Sequence, residues 1–441
     1  MIKNLSIFLF FSLLGLLFVE TAENDESFDG ILTADVLKEW GYTPFKYLDI
    51  RKRNIKSIEE NAFIDFTNLI ELYLMMNELT IIETKTFKGL AGLTVLHLYD
   101  NKINRIEDNS FVDLVYLEWL QLNINEITEI TSQTFKGLTR LNFLYLYDNQ
   151  ISRIEDNAFS DLKNLSRLYL YNNEITKITS KTFNGLFRLS QLYLMNNQIN
   201  TIDDNSFADL ANLNRLYMDS NEITNIFSGT FKGLKGLTQL DLSNNKINYI
   251  DDNSFVDMSN LTRMYLNSNQ ITEITSGTFK GLQGLAHLAL SNNKITSIED
   301  NSFVDLINLT RLDMDSNSLS FIEPNMFNGL KNLEYLSISN NQLIYLASDL
   351  FVSMQKLEYI DASFNQISFI NKNEFRNMTS IQDIDLRENK LVYLDFNLIQ
   401  GCINLETFCL NGNLFSQNFL LNYNGLPNLN QNIIWDQNCN Y

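Results

Sequence analysis

A block of 24 residues recurs without insertion or deletion from Phe45 to Phe415, with leucine or isoleucine, asparagine and phenylalanine at fixed offsets. One block carries Leu141, Leu144, Leu146, Asn149, Ile151, Ile154, Phe159 and Leu162. Its successor carries Leu165, Leu168, Leu170, Asn173, Ile175, Ile178, Phe183 and Leu186. Sixteen such blocks begin between Phe45 and Leu405. A strict period of this length describes a solenoid, because one block is too small to bury its own apolar face and must stack on its neighbours.

Within a block, the spacing L-x-x-L-x-L gives the alternation of a short strand whose apolar residues face one side. Equal blocks stack these strands in parallel, and at about 4.8 Å per strand sixteen of them make an inner sheet roughly 75 Å long. The asparagine at the ninth position, Asn77, Asn101, Asn125 and onward to Asn413, can turn its amide into the loop backbone and satisfy groups the turn would orphan. The later Ile, Phe and Leu fill the convex half of the core, with Phe63, Phe87, Phe111 and their successors forming an aromatic spine through Phe375. The expected fold is an α/β solenoid with a parallel concave sheet, capped by residues 23–44 at one end and 416–441 at the other.

Residues 1–22 have the form of a secretory signal peptide: Lys3, an apolar run from Leu5 to Val19, then acidic residues from Glu20. The run is shorter than the roughly 20 residues of a membrane span, and no second apolar run follows, so a secreted product without a membrane span or lipid anchor is expected. Sequons at Asn164, Asn260, Asn308 and Asn377 suit an exported glycoprotein. Three cysteines, Cys402, Cys409 and Cys439, lie in the last block and tail. In an oxidising compartment one bond is expected from Cys439 to either Cys402 or Cys409, leaving one thiol buried or available for a disulfide-linked partner. The net charge of −20 argues against nucleic acid and anionic membranes as partners.

These blocks resemble the 24-residue class of extracellular leucine-rich repeat proteins, a class that includes Toll-like receptor ectodomains, animal immune recognition proteins and matrix proteoglycans. The resemblance spans residues 45–415 and implies a horseshoe that binds a protein or glycan partner on its concave sheet, with innate immunity among the settings the family serves. It is specific for fold and weak for function, since one scaffold serves many ligands. The flanks depart from the family: residues 23–44 hold no cysteine, and Asn413 to Phe419 keep only part of the usual C-terminal cap motif. A second period of 48 overlies the first, alternating Phe-Lys-Gly-Leu at Phe87, Phe135, Phe231 and Phe279 with an Asp-containing form at Phe111, Phe159, Phe207 and Phe303.

Candidate binding residues are the strand positions that point away from the core. Tyr73, Tyr145, Tyr169, Tyr193, Tyr217 and Tyr265 occupy one column, Tyr99, Tyr147 and Tyr171 lie two residues further on, and Trp119 and Phe143 stand in the neighbouring column. They predict an aromatic ladder continuous over blocks 2 to 8, and such residues are enriched at interface hot spots. The column turns to Asp241, Asp313, Asp361 and Asp385 in later blocks, so strand preference alone does not account for it. Arg167, Arg215, Arg263 and Arg311 recur every 48 residues beside the tyrosines, either to meet an acidic or glycan ligand or to pair with Asp219, Asp313 and Asp315.

Paired acids at Glu107-Asp108, Glu155-Asp156, Asp203-Asp204, Asp251-Asp252 and Glu299-Asp300 fall on the convex side. They lack the glycine-rich spacing of calcium loops and read as solvated loop residues, with no metal site. The two histidines, His97 and His287, are eight blocks apart, and no phosphate loop, nucleophile elbow or zinc spacing occurs. Both histidines read as plain surface. The expectation is a non-enzymatic recognition protein without cofactor. The alternative is a matrix or self-assembling protein, for which a homodimer held by a free cysteine would be the sign.

Overall fold

The computed structural model describes residues 28–416. Sixteen three-residue strands, from Tyr47–Asp49 to Thr407–Cys409, form one parallel sheet in chain order. Each pairs in register with the strand 24 residues on, so that Leu144 lies between Leu120 and Leu168, and Tyr145 between Gln121 and Tyr169. The middle residue of every strand faces the core, and its two neighbours face the concave side. The opposite side of the coil holds turns and two-residue strands such as Arg153–Ile154 in place of helices. The one α-helix among the described residues, Ala34–Glu39, precedes the first coil, with Thr33 capping its N-terminus. Its Leu37, with Leu32 beside it, is buried in the same core as the coils.

The asparagine expectation is met atom by atom. Asn149 Oδ1 accepts the N–H of Ile127 in the preceding coil at 3.0 Å, while its Nδ2 donates to the carbonyls of Leu122 and Leu146 at 3.0 and 3.1 Å. The same triad recurs at Asn197 and Asn341. Each side chain thus satisfies buried backbone groups of two coils, a need created where the chain leaves the sheet. Behind it the phenylalanine spine stacks coil on coil, Phe135 on Phe159 at 6.0 Å and Phe183 on Phe207 at 5.9 Å between ring centroids. All these rings are fully buried.

The 48-residue period also has a physical cause. In the Lys-Gly form the glycine adopts φ near +86°, as at Gly137, where an added Cβ would meet Val112 O at 3.3 Å. Its N–H donates to the aspartate of the next coil: Gly137 to Asp161 at 2.9 Å, Gly185 to Asp209 at 2.8 Å and Gly281 to Asp305 at 2.8 Å. The two forms alternate because one supplies the donor and the other the acceptor. The paired convex acids work similarly. Glu155 accepts the N–H of Ser132, and Asp156 accepts the hydroxyl of Thr179. They tie neighbouring coils as well as facing solvent.

Candidate functional site

The concave sheet carries the sequence-predicted aromatics, all part-buried. Tyr145, Tyr169, Tyr193 and Tyr217 stack face to face, with centroid separations of 4.5, 4.6 and 5.0 Å and interplanar angles of 7 to 12°. The separations match the strand spacing, so the ring normals run along the solenoid axis and the hydroxyl edges face the concave space. Trp119 closes one end, stacked on Tyr145 at 5.4 Å and tilted against Phe143 at 4.7 Å. Tyr147 and Tyr171 form a parallel pair at 4.5 Å.

The ladder is not continuous over blocks 2 to 8. Gln121 interrupts the column, and Tyr73 belongs to a separate cluster in which it stacks on His97 at 5.0 Å, with Tyr99 edge-on to the same ring. Tyr73 donates to Glu71, and His97 Nδ1 pairs with Gln121. His97 is therefore a packed, half-buried member of an aromatic group and not plain surface. Tyr265 stands apart from the ladder, as expected, since Asp241 separates it from Tyr217, and it meets His287 edge-on. Sequence reading passed over Tyr335 and Tyr359, which stack at 4.6 Å in the column of Trp119 and Phe143. Their 24-residue separation was the available signal.

The arginine row divides. Arg311 makes two hydrogen bonds to Asp313, at 2.8 and 2.7 Å, and lies over the ring of Tyr335 at 3.8 Å. His287 bonds the same carboxylate at 2.8 Å. Burial opposes ionisation of Asp313, but the bonds from His287 and Arg311 outweigh it and hold its pKa below the ordinary carboxylate value. Arg167 lies over Phe143 at 5.4 Å. Among the described residues Arg167, Arg215 and Arg263 form no ion pair with any carboxylate. Burial raises the tyrosine pKa values, to about 12 at Tyr193, with neighbouring phenols adding to the effect. Tyr145 and Tyr171 shift in the same direction. The ladder therefore presents neutral hydroxyl donors rather than phenolates.

Beside the strip, a cleft of about 300 Å³ on the edge of the sheet is lined by Glu118, Arg140, Asn142, Asn164 and Arg188. Asn164 donates to Thr139 O and accepts from Arg188, both at 2.7 Å. Asn260 and Asn308 donate likewise to the preceding coil, and both are exposed. Asn377 is exposed and takes a positive φ. Cys402 is a free thiol whose Sγ donates to Phe375 O at 3.0 Å, and burial pushes its pKa up to about 11. Cys409 is buried on the last strand and is not free. Cys439, the N-terminal 22 residues and the segment after 416 lie outside the described residues. Among the described residues no group of His, Cys, Asp and Glu converges as a metal site, and no helix is long and apolar enough to cross a membrane.

A family model described as leucine rich repeat matches seven overlapping segments that run from residue 44 to residue 367. The chain belongs to the leucine-rich repeat family. No curated protein matches it as a whole. Among solved structures, this leucine-rich repeat chain is similar to TLR13 in its complex with ssRNA13, at 26% identity and a TM-score of 0.71 over 91% of this chain and 55% of that one. It is similar in fold to Toll in the Drosophila Toll–Spatzle complex, at 22% identity and a TM-score of 0.70, covering 86% of this chain and 56% of that one. The Leptospira interrogans LRR protein LIC12759 matches at 22% identity and a TM-score of 0.57, with 92% of this chain and 98% of that one covered. The chain thus spans little more than half the length of the TLR13 and Toll chains.

Proposed function

We propose that this leucine-rich repeat protein is a secreted, glycosylated, non-enzymatic recognition protein that captures a macromolecular partner on the Tyr145–Tyr217 strip of its concave face. The observation that carries the reading is the confinement of stacked tyrosines and unpaired arginines to one stretch of an otherwise uniform sheet. A role in innate immunity fits the likeness to TLR13 and Toll, one solved with ssRNA13 and the other with Spatzle. The net charge of −20 favours a protein partner over a nucleic acid. Glycans are assigned to Asn164, Asn260, Asn308 and Asn377, and the free state of Cys402 supports a C-terminal disulfide between Cys409 and Cys439. A buried Cys402 thiol disfavours the alternative of a disulfide-linked matrix assembly.

The test is capture from native extracellular fluid by the wild type, by a Tyr145→Ser, Tyr169→Ser, Tyr193→Ser variant and by a convex control, Phe227→Ser with Tyr249→Ser. Partners kept by the wild type and the control but lost by the concave variant support the reading. Partners unaffected by the concave variant overturn it.

A further inference from the structure

The concave strip has a chemical character narrower than a general protein-binding surface. The strand register places Arg167, Gln191, Arg215, Gln239 and Arg263 side by side in one column. Free guanidinium groups therefore stand on every second strand, about 9.6 Å apart. The residue ahead of each strand, from Ser166 through Ser190, Asn214 and Thr238 to Thr262, carries no charge. The nearest acids of the strip, Asp219 and Asp241, make no ion pair with these arginines, and Asp241 bonds Ser243 instead, at 3.0 and 2.7 Å. In a chain of net charge −20 this is a stretch of donors: three guanidinium groups, two amides and a row of protonated phenols.

A ligand that matches it is rich in acceptors, linear and negatively charged every 9 to 10 Å. A polyproline II peptide repeats a side-chain direction every three residues, which at about 3.1 Å per residue is about 9.3 Å, and it leaves every carbonyl free to accept. A β-strand turns residues i and i+3 to opposite faces, and so presents only one of each pair to the comb. Single-stranded nucleic acid gains its affinity by stacking bases on open aromatic faces. Here the faces of Tyr169 and Tyr193 are covered on both sides by other rings, which equally leaves no flat platform for a sugar ring.

We propose that the strip binds an extended acidic segment of a protein in polyproline II form, lying along the solenoid axis, with carboxylates at every third residue on Arg167, Arg215 and Arg263 and backbone carbonyls facing the tyrosine hydroxyls. Guanidinium groups suit this role because they take a carboxylate through two parallel hydrogen bonds. The assignment rests on the concave recognition role proposed above and specifies its ligand.

Fluorescence anisotropy with a labelled peptide of four Glu-Pro-Pro units tests it on the full-length protein. A peptide of the same composition with its glutamates in one block and its prolines in another serves as the register control. The repeated peptide should bind about tenfold more tightly than the block peptide, and Arg167→Gln, Arg215→Gln, Arg263→Gln together should remove at least that factor without shifting the melting temperature. Equal binding of the two peptides, no effect of the triple variant, or tighter binding of heparin or a uridine oligonucleotide to the same arginines would overturn it. Should neither peptide bind while the tyrosine variant still loses its captured partners, the ligand class is wrong and concave recognition stands. If the peptide binds as described while that variant keeps all its partners, it is the broader reading that fails.

Discussion

The two halves of the concave sheet share one backbone and differ in what covers it. From Trp119 to Arg263 the outward positions hold stacked rings and arginines without ion pairs. From His287 onward the cations are held: Arg311 and His287 by Asp313, and Arg387 by Asp385 through bonds of 2.9 and 2.5 Å. Both halves draw on the same leucine, asparagine and phenylalanine positions for their cores. Stability in such a solenoid is a sum over coils and their interfaces, so the surface of one stretch can change without cost to the rest. The first stretch leaves its charges available, and the second spends them on itself.

The largest expected effect tests the sameness of the two backbones. Asn197→Ala and Asn341→Ala each remove three hydrogen bonds to buried backbone groups of two coils. Each should cost about 3 to 4 kcal/mol, since orphaned buried groups carry most of the penalty. Urea unfolding of both variants should give equal losses within about 1 kcal/mol, an error typical of context. A large difference would mean that the coils are not equivalent beneath their surfaces.

Next is a pH effect confined to the second half. Glu374 replaces the Ser or Thr that earlier coils bury at this position, is 4% exposed, and neither of its carboxylate oxygens has a hydrogen-bond partner. Burial pushes its pKa up to about 7, backbone amides of Phe351 and Leu350 offset this only in part, and Asp349 adds to it. The folded protein then holds a proton that the unfolded chain releases near pH 4.5. Stability should fall as pH rises from about 4.5 to 7, by at most about 3 kcal/mol, and level off above that. Glu374→Leu, which restores the residue type found at Leu350 and Leu398, should abolish the slope in thermal melts. A slope unchanged by this substitution would place the titrating group elsewhere.

How much of this was legible in the sequence follows from which contacts are local to the repeat. Leucine, asparagine and phenylalanine meet the same residue type one coil away, so their roles and register could be read from spacing alone. The Gly137–Asp161 bond could also have been read from the 48-residue alternation, because donor and acceptor sit at one repeat position. The concave ladder was only half legible. Tyr145 to Tyr217 share a column with no gap, but the column beyond them depends on a diagonal neighbour, as when Trp119 reaches Tyr145 across Gln121. Spacing gives a column, whereas side-chain length and direction decide who is touched. His97 was misread for that reason: its packing comes from Tyr73, a coil away. The division of the arginines was left open because pairing depends on an acid two residues along the same strand, which only Arg311 has.

A smaller effect separates the stacks. Tyr169→Ser removes a ring with stacked neighbours on both sides, while Tyr359→Ser removes one with a single stacked neighbour. At about 0.5 to 1.5 kcal/mol per aromatic pair, the first should lose roughly twice the stacking energy of the second. Differential scanning calorimetry of the two variants checks the ratio. Equal losses would show that burial of the ring, and not the stack, is what stabilises the face.

The smallest effect sharpens the contrast between held and free cations. Arg311→Gln removes two hydrogen bonds to Asp313 and a cation–π contact with Tyr335, and leaves His287 as the remaining partner of that carboxylate. A part-exposed pair of this kind is worth about 1 kcal/mol after solvent screening. Because the pKa of Asp313 is depressed in the folded state, its contribution is present above the ordinary aspartate range and fades as pH falls through the folded value. Arg215→Gln removes an exposed guanidinium with no ion pair, and should change stability by less than about 0.5 kcal/mol at any pH. Chemical unfolding of both variants at pH 7 and pH 3 separates the cases: the Arg311 loss should shrink at low pH while the Arg215 value stays near zero. An Arg215 loss as large as that of Arg311 would mean that the first half also spends its charge on folding, and the distinction between the two stretches would fall.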